Sequence, residues 1–270
     1  MTDQVRTGEA RADEARAGQE LAGRVLAGRA AVVTGGSRGI GRAVVERLAA
    51  DGADVVFGYA HDDAAAADVV RAVAARGAGR AHAVRADLGA PDGAEWLMAA
   101  AQEELGGLDI LVNNAARGFT RAPLAETDPA DFDAVLAVNT RAVFLTLRYA
   151  ARHMRDGGRI VNVSTLNTRR PAPGIAPYLA SKGALEQLTE AAALELGPRG
   201  ITCNTVSPGP VETDLLRSTN PPQALETVAG LTPLRRLGQP ADVADVIAFL
   251  VGPDGRWVSG QNIGATGGLR

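Results

Sequence analysis

A chain of 270 residues, 46% hydrophobic and 22% charged, is long enough to bury a substantial core and lies outside the compositional range of disordered proteins. A net charge of −3 and a pI near 5.7 give no basic field for nucleic acid. Cys203 is the single cysteine, and His61, His82 and His153 are scattered, so the sequence offers no internal disulfide, no CxxC pair and no metal cluster. Of the 28 basic residues only Lys182 is lysine. In a chain that uses arginine almost everywhere, that position is a candidate for one that arginine cannot fill.

Residues 1–25 mix Ala, Arg, Glu and Gly, lack the apolar core of a signal peptide, and read as a tail before a domain over residues 26–270. No apolar run approaches the roughly 18 residues of a membrane span, and the expected location is the cytoplasm. From residue 30 a regular alternation begins. Strands are predicted at Ala30–Thr34, Asp54–Gly58, Arg80–Arg85, Ile110–Asn113, Arg159–Ser164, Ile201–Val206 and Asn262–Thr266. Helical spacing occupies Ile40–Ala50, Ala64–Arg76, Glu95–Leu105, Phe132–Met154, Tyr178–Leu196 and Ala241–Val251. Strands that alternate with helices and run apolar without a polar face predict an α/β fold: one doubly wound, Rossmann-like parallel sheet covered on both sides. The Pro-rich segment Thr219–Pro222 reads as a mobile loop.

The first strand runs into Thr34-Gly35-Gly36-Ser37-Arg38-Gly39-Ile40-Gly41, with a helix directly after. Glycines there permit a tight turn and let backbone N–H groups approach a pyrophosphate at the helix N-terminus, where the dipole favours an anion. The spacing G-x3-G-x-G differs from the usual G-x-G-x-x-G. The loop resembles that of the short-chain dehydrogenase/reductase family, and the resemblance continues in order over about residues 26–268. Asp87-Leu88 match the pair after strand three, which the resemblance places against adenine. Asn114-Ala115, in Asn113-Asn114-Ala115-Ala116, match the turn after strand four, with Ala116 where the family has glycine. Asn139, Tyr178-x3-Lys182, Pro208-Gly209, Gly260-Gln261 and Gly267-Gly268 complete the pattern. Val211 and Thr213 fall where the family binds the nicotinamide carboxamide.

Tyr178 and Lys182 lie four apart on one helix face. A tyrosine with a pKa near 10 is a poor acid–base group at neutral pH, and a nearby ammonium is expected to lower it. The phenol then exchanges a proton with a carbonyl or alcohol oxygen. The resemblance adds that Lys182 holds ribose hydroxyls and that Asn139 supports a proton-relaying water chain. The family's serine stands thirteen residues before the tyrosine, which here is Thr165. Ser164 is the alternative if the following loop shifts the register, since adjacent strand residues face opposite ways.

After strand two the sequence Val55-Val56-Phe57-Gly58-Tyr59-Ala60-His61 holds no carboxylate before Asp62. Arg38 lies where NADP-preferring relatives carry a base. A guanidinium suits a 2′-phosphate and an acid would suit a free hydroxyl, so NADP(H) is favoured over NAD(H), unless Asp62 and Asp63 turn towards the ribose. Glu212–Arg236 is expected to cover a partly apolar substrate. Arg117, Arg121, Arg169 and Arg170 are placed near the mouth. The resemblance implies a ketoreductase similar to 3-oxoacyl-carrier-protein reductases, acting on a small carbonyl or alcohol and assembled as a homotetramer, with neither nucleic acid nor membrane as partner. Two other readings are a sugar or secondary-alcohol dehydrogenase and a catalytically silent dinucleotide-sensing protein.

Overall fold

The computed structural model describes residues 24–270; apart from Arg24 and Val25, the expected tail over residues 1–25 lies outside the described residues. Seven parallel strands form one sheet in the order β3-β2-β1-β4-β5-β6-β7. They are β1 (Ala30–Val33), β2 (Asp54–Tyr59), β3 (Arg80–Arg85), β4 (Ile110–Asn113), β5 (Arg159–Val163), β6 (Thr202–Pro208) and β7 (Asn262–Ala265). The order reverses at β1, between β2 and β4, and this reversal opens a crevice at the carboxyl ends of β1 and β4.

Strand residues divide alternately between two cores, as the two-residue period requires. Ala31, Val33, Val55, Phe57, Ile110, Val112 and Val161 pack on one face with α1 (Gly39–Ala50), α2 (Asp63–Arg76) and α9 (Pro240–Val251). Val32, Val56, Leu111 and Ile160 pack on the other with α3 (Gly93–Leu105), α5 (Ala142–His153) and α6 (Ala176–Leu196). Double coverage explains why the central strands read as unbroken apolar runs.

Two departures from the sequence expectations position the site. The predicted helix Phe132–Met154 is divided into α4 (Pro129–Leu136), a π turn at Ala137–Arg141 and α5. The wider turn carries the buried Asn139, whose side chain ties the turn to its neighbours. The segment Glu212–Arg236, for which the sequence predicted no helix, holds two, α7 (Asp214–Thr219) and α8 (Pro222–Leu231). Thr213 caps the first by accepting from Leu216 N, and Pro222 occupies the first turn of the second. Only Asn220 and Pro221 remain between them, where the sequence suggested a loop over Thr219–Pro222.

Candidate active site

The glycine turn closes the β1 end of the crevice. Gly35 has φ +68°, and a Cβ there would stand 2.8 Å from Ala115 Cα. A Cβ at Gly41 would come within 2.0 Å of the Gly35 carbonyl oxygen. The turn and the end of β4 therefore fit together only with hydrogen at these positions. Asn114 fastens the junction, donating from Nδ2 to the carbonyls of Thr34 and Gly35, each at 3.0 Å. The Thr34 hydroxyl accepts from the N–H groups of Asn114 and Ala115. The tight contact is thus made by Ala115. Ala116 lies on the cavity wall with no positive φ, so its Cβ brings no backbone strain.

The start of α1 is built for an anion. No side chain caps it and its first turn has no acidic residue. By contrast, α2 and α4 begin with Asp62 and Asp128 accepting backbone N–H bonds. The dipole and the first-turn amides of α1 face a cavity of about 1000 Å³ lined by Ser37, Arg38, Gly39 and Ile40. Tyr59, Asp87, Leu88, Pro208, Gly209, Val211 and Thr213 line the same cavity. Asp62, however, is not on that wall; its carboxylate caps α2 through Ala65 N, with Arg38 4.0 Å away.

At the other end of the cavity, α6 presents Tyr178 and Lys182, both buried. Thr165 stands on the same wall as Tyr178, and its hydroxyl acts on the phenol. Ser164 turns away, donating to Glu186 Oε1 at 2.6 Å. Of the two candidate hydroxyls, the structure brings Thr165 to the tyrosine. Lys182 Nζ donates to the Val163 carbonyl at 2.7 Å and lies 6.0 Å from the centre of the Tyr178 ring. Burial pushes the Lys182 amine down to about 8, opposed by the carboxylate of Glu186.

Burial also raises the Tyr178 phenol above its usual value, with the Thr165 hydrogen bond acting the other way. This differs from the expectation of a lowered phenol. The ammonium points at a backbone carbonyl, and desolvation outweighs any help it gives the phenolate. Asn139 is fully buried within the π turn. Its Oδ1 accepts from Arg117 N at 2.7 Å, and its Nδ2 donates to Ser181 Oγ and the Arg117 carbonyl. It stands behind the cavity wall and joins the β4 loop to α6.

Sequence reasoning did not find Phe119, whose ring sits 4.9 Å from that of Tyr178, nor Glu186. Phe119 follows the recognised β4 turn by only a few residues, but a lone aromatic carries no spacing signal. Arg117, Arg121 and Arg170 reach the cavity wall as expected. Arg169 does not; it donates to the Asn262 carbonyl. Among the described residues no cluster could hold a metal ion, and no helix is long and apolar enough to cross a membrane.

A doubly wound sheet with an uncapped glycine turn at its switch point and a buried Tyr–Lys pair beside it defines a class of oxidoreductase. Comparison with known proteins agrees. The family model adh_short_C2, described as Enoyl-(Acyl carrier protein) reductase, matches residues 35–270. The chain is 40% identical over 251 residues to versicolorin reductase 1 of Aspergillus parasiticus, covering 88% of this chain and 95% of that one. A short-chain dehydrogenase from Burkholderia cenocepacia J2315, solved in complex with NADP, is 42% identical with a TM-score of 0.85, covering 90% and 98% of the two chains. The angucycline C-6 ketoreductase LanV, solved with bound NADP, is 41% identical with a TM-score of 0.84, covering 90% and 96%. The chain belongs to the short-chain dehydrogenase/reductase family and is an NAD(P)-dependent oxidoreductase acting on C=O or CH–OH groups.

Proposed function

We propose that the protein is an NADP(H)-dependent ketoreductase that reduces a partly apolar ketone to a secondary alcohol. The observation that carries this reading is geometric: Thr165, Tyr178 and Lys182 stand together on the wall of the cavity that continues to the α1 glycine turn. A phenol that keeps its proton at neutral pH is in the state needed to donate it to a carbonyl oxygen.

The residues present fit a dinucleotide phosphate: the uncapped α1 start suits the pyrophosphate, and the glycines leave room that a Cβ would fill. Arg38 reaches the cavity while Asp62 does not, an arrangement that favours a 2′-phosphate over a free hydroxyl. The relatives solved with NADP support the same preference. When bound, the reduced cofactor supplies the hydride. Thr165 and Tyr178 hold the carbonyl oxygen by two hydrogen bonds, and Tyr178 delivers the proton. Lys182, charged below about pH 8, supports the phenolate left behind and offers its remaining donors to ribose hydroxyls. Asn139 fixes the π turn behind them; a part in a proton-relaying water chain is what the family resemblance adds. Phe119, Leu215 and Leu231 give the substrate end an apolar wall, which agrees with a relative named as a ketoreductase.

The test is turnover of a ketone panel with NADPH and NADH, together with Tyr178→Phe. NADPH-preferring reduction that falls at least about 100-fold in Tyr178→Phe is expected. Cofactor binding with no reduction of any ketone would favour the silent dinucleotide-sensing reading, while oxidation of sugars alone would favour the dehydrogenase one. A homotetramer located in the cytoplasm belongs to the same reading through the family resemblance. Light scattering from the purified protein tests the assembly.

A further inference from the structure

Tyr178, Lys182 and Glu186 follow one another at intervals of four along α6, so all three side chains fall on the stripe that faces the end of β5. Glu186 uses a single oxygen, Oε1, at 2.6 Å from Ser164 Oγ and 2.7 Å from Thr168 Oγ1. Those two hydroxyls flank Thr165 on either side in the chain. Thr168 Oγ1 also lies 3.0 Å from the Thr165 carbonyl oxygen, and Thr165 Oγ1 accepts from Asn167 N at 3.2 Å. The short turn that presents Thr165 to Tyr178 is therefore fastened to α6 through one carboxylate. The same carboxylate acts on the buried Lys182 ammonium, whose one hydrogen-bond acceptor among the described residues is the Val163 carbonyl.

We propose that Glu186 is a positioning residue for the reduction, acting in two ways through one side chain. Its carboxylate holds the Ser164–Thr168 turn so that the Thr165 hydroxyl meets the phenol, and its negative charge keeps Lys182 protonated in an apolar setting. Glu186 itself does not line the cavity.

The charged surroundings of Lys182 leave few other sources for this effect. Tyr178, on the same helix, is neutral because burial raises its phenol. On β6, Cys203 is pushed up to about 12 by burial and stays a thiol. Asp131 and Asp133 of α4 and Arg141 of the π turn point to solvent, where water and salt screen them. Among the described residues Glu186 is the one charged group that acts on Lys182. Removing its charge leaves burial unopposed, so the lysine loses its proton at a lower pH.

The proposal rests on the Tyr178 reading for its catalytic meaning, but one of its measurements does not. Lys182 is the single lysine of the chain, so protein labelled with 13C in lysine gives one Cε resonance. Its pH titration reports this amine directly and needs no substrate. The variant is Glu186→Gln, which keeps the side-chain length and an oxygen to accept from Ser164 and Thr168, and so preserves the fold. In wild type the resonance titrates near 8. In Glu186→Gln the midpoint moves down by about one pH unit, and the alkaline limb of the kcat profile moves with it. A purely structural role would lower kcat evenly and leave both midpoints in place. An unmoved Cε midpoint, or a moved midpoint with an unmoved kcat limb, overturns the proposal. If wild type reduces no ketone, the proposed function fails, and the Cε titration still decides whether Glu186 sets the charge of Lys182.

Discussion

At the residue scale the lone lysine has a physical account. Lys182 is 2% exposed, its ammonium seated on the Val163 carbonyl beneath the tyrosine. A guanidinium is planar, larger and always charged, and it cannot occupy a space shaped for a compact ammonium. Lys182→Arg is therefore expected to keep the fold by circular dichroism and to lose about 100-fold or more in kcat. The two neighbouring hydroxyls separate in the same way. Thr165→Ala removes the hydroxyl that acts on Tyr178 and is expected to lower kcat by about 100-fold. Thr165→Ser restores most of it, because serine keeps the donor and loses only the methyl group. Ser164→Ala removes one of the two hydroxyls on Glu186 and is expected to cost less than tenfold. Steady-state kinetics of the three variants would reverse the assignment if the Ser164 variant proved the weaker enzyme.

At the element scale, the strands and most helices are legible because each states its burial in a repeating pattern. The alternation Ala31–Val32–Val33 across two cores needs no knowledge of the fold to be read as a doubly covered strand. The π turn is not legible, since Phe132–Met154 keeps helical spacing throughout and the one extra residue changes the path without changing the pattern. Its cause is tertiary: Asn139 must bond Arg117 and Ser181 together, and only a widened turn brings it there. Within the site, Tyr178 and Lys182 announce themselves by spacing, whereas Glu186 reads as an ordinary helical glutamate until the fold sets Ser164 and Thr168 against it. The helical character of Glu212–Arg236 was hidden by its prolines, which break helices in the interior but begin them at the first turn.

Asn139 gives a prediction at this scale. Asn139→Ala removes the bonds to Arg117 and the buried one to Ser181 Oγ, and loss of a buried hydrogen bond costs about 1 kcal/mol. A comparable loss is expected in urea unfolding, accompanied by lower kcat. The capping of α9 gives another. Asp242 accepts from Gln239 N and from Arg236, which hold its carboxyl down at about 2. Because the folded value lies below the usual 3.8, the contribution is present at neutral pH and is lost as pH falls towards 2. Asp242→Ala should cost about 1 kcal/mol at pH 7 and progressively less below pH 4, measured by denaturant titration across that range.

At the scale of the whole molecule, the reversal of strand order at β1 determines where everything else can work. The sheet stays continuous across β1 and β4, but the chain leaves them for helices on opposite faces, α1 on one and α5 on the other, which leaves the crevice open above the carboxyl edge. The glycine turn, the α1 amides and the Tyr178 stripe of α6 then share one cavity although they are more than a hundred residues apart. A ligand spanning that cavity touches both halves of the fold and binds only when both are formed. Linkage therefore converts its affinity into stability: at a hundred times Kd the gain is about 2.7 kcal/mol, or roughly 5–10 °C in Tm for a domain of this size. NADPH is expected to give such a shift in a thermal melt, and NADH at the same concentration a smaller one. The difference should depend on Arg38, whose side chain lies on the cavity wall and is 59% exposed. Arg38→Ala removes a charge-assisted contact to the 2′-phosphate, weakening NADPH by roughly tenfold while leaving NADH nearly unchanged. The two melting curves should then draw together. An equal loss for both cofactors would show instead that Arg38 serves the pyrophosphate, and a larger shift with NADH in wild type would overturn the cofactor assignment altogether.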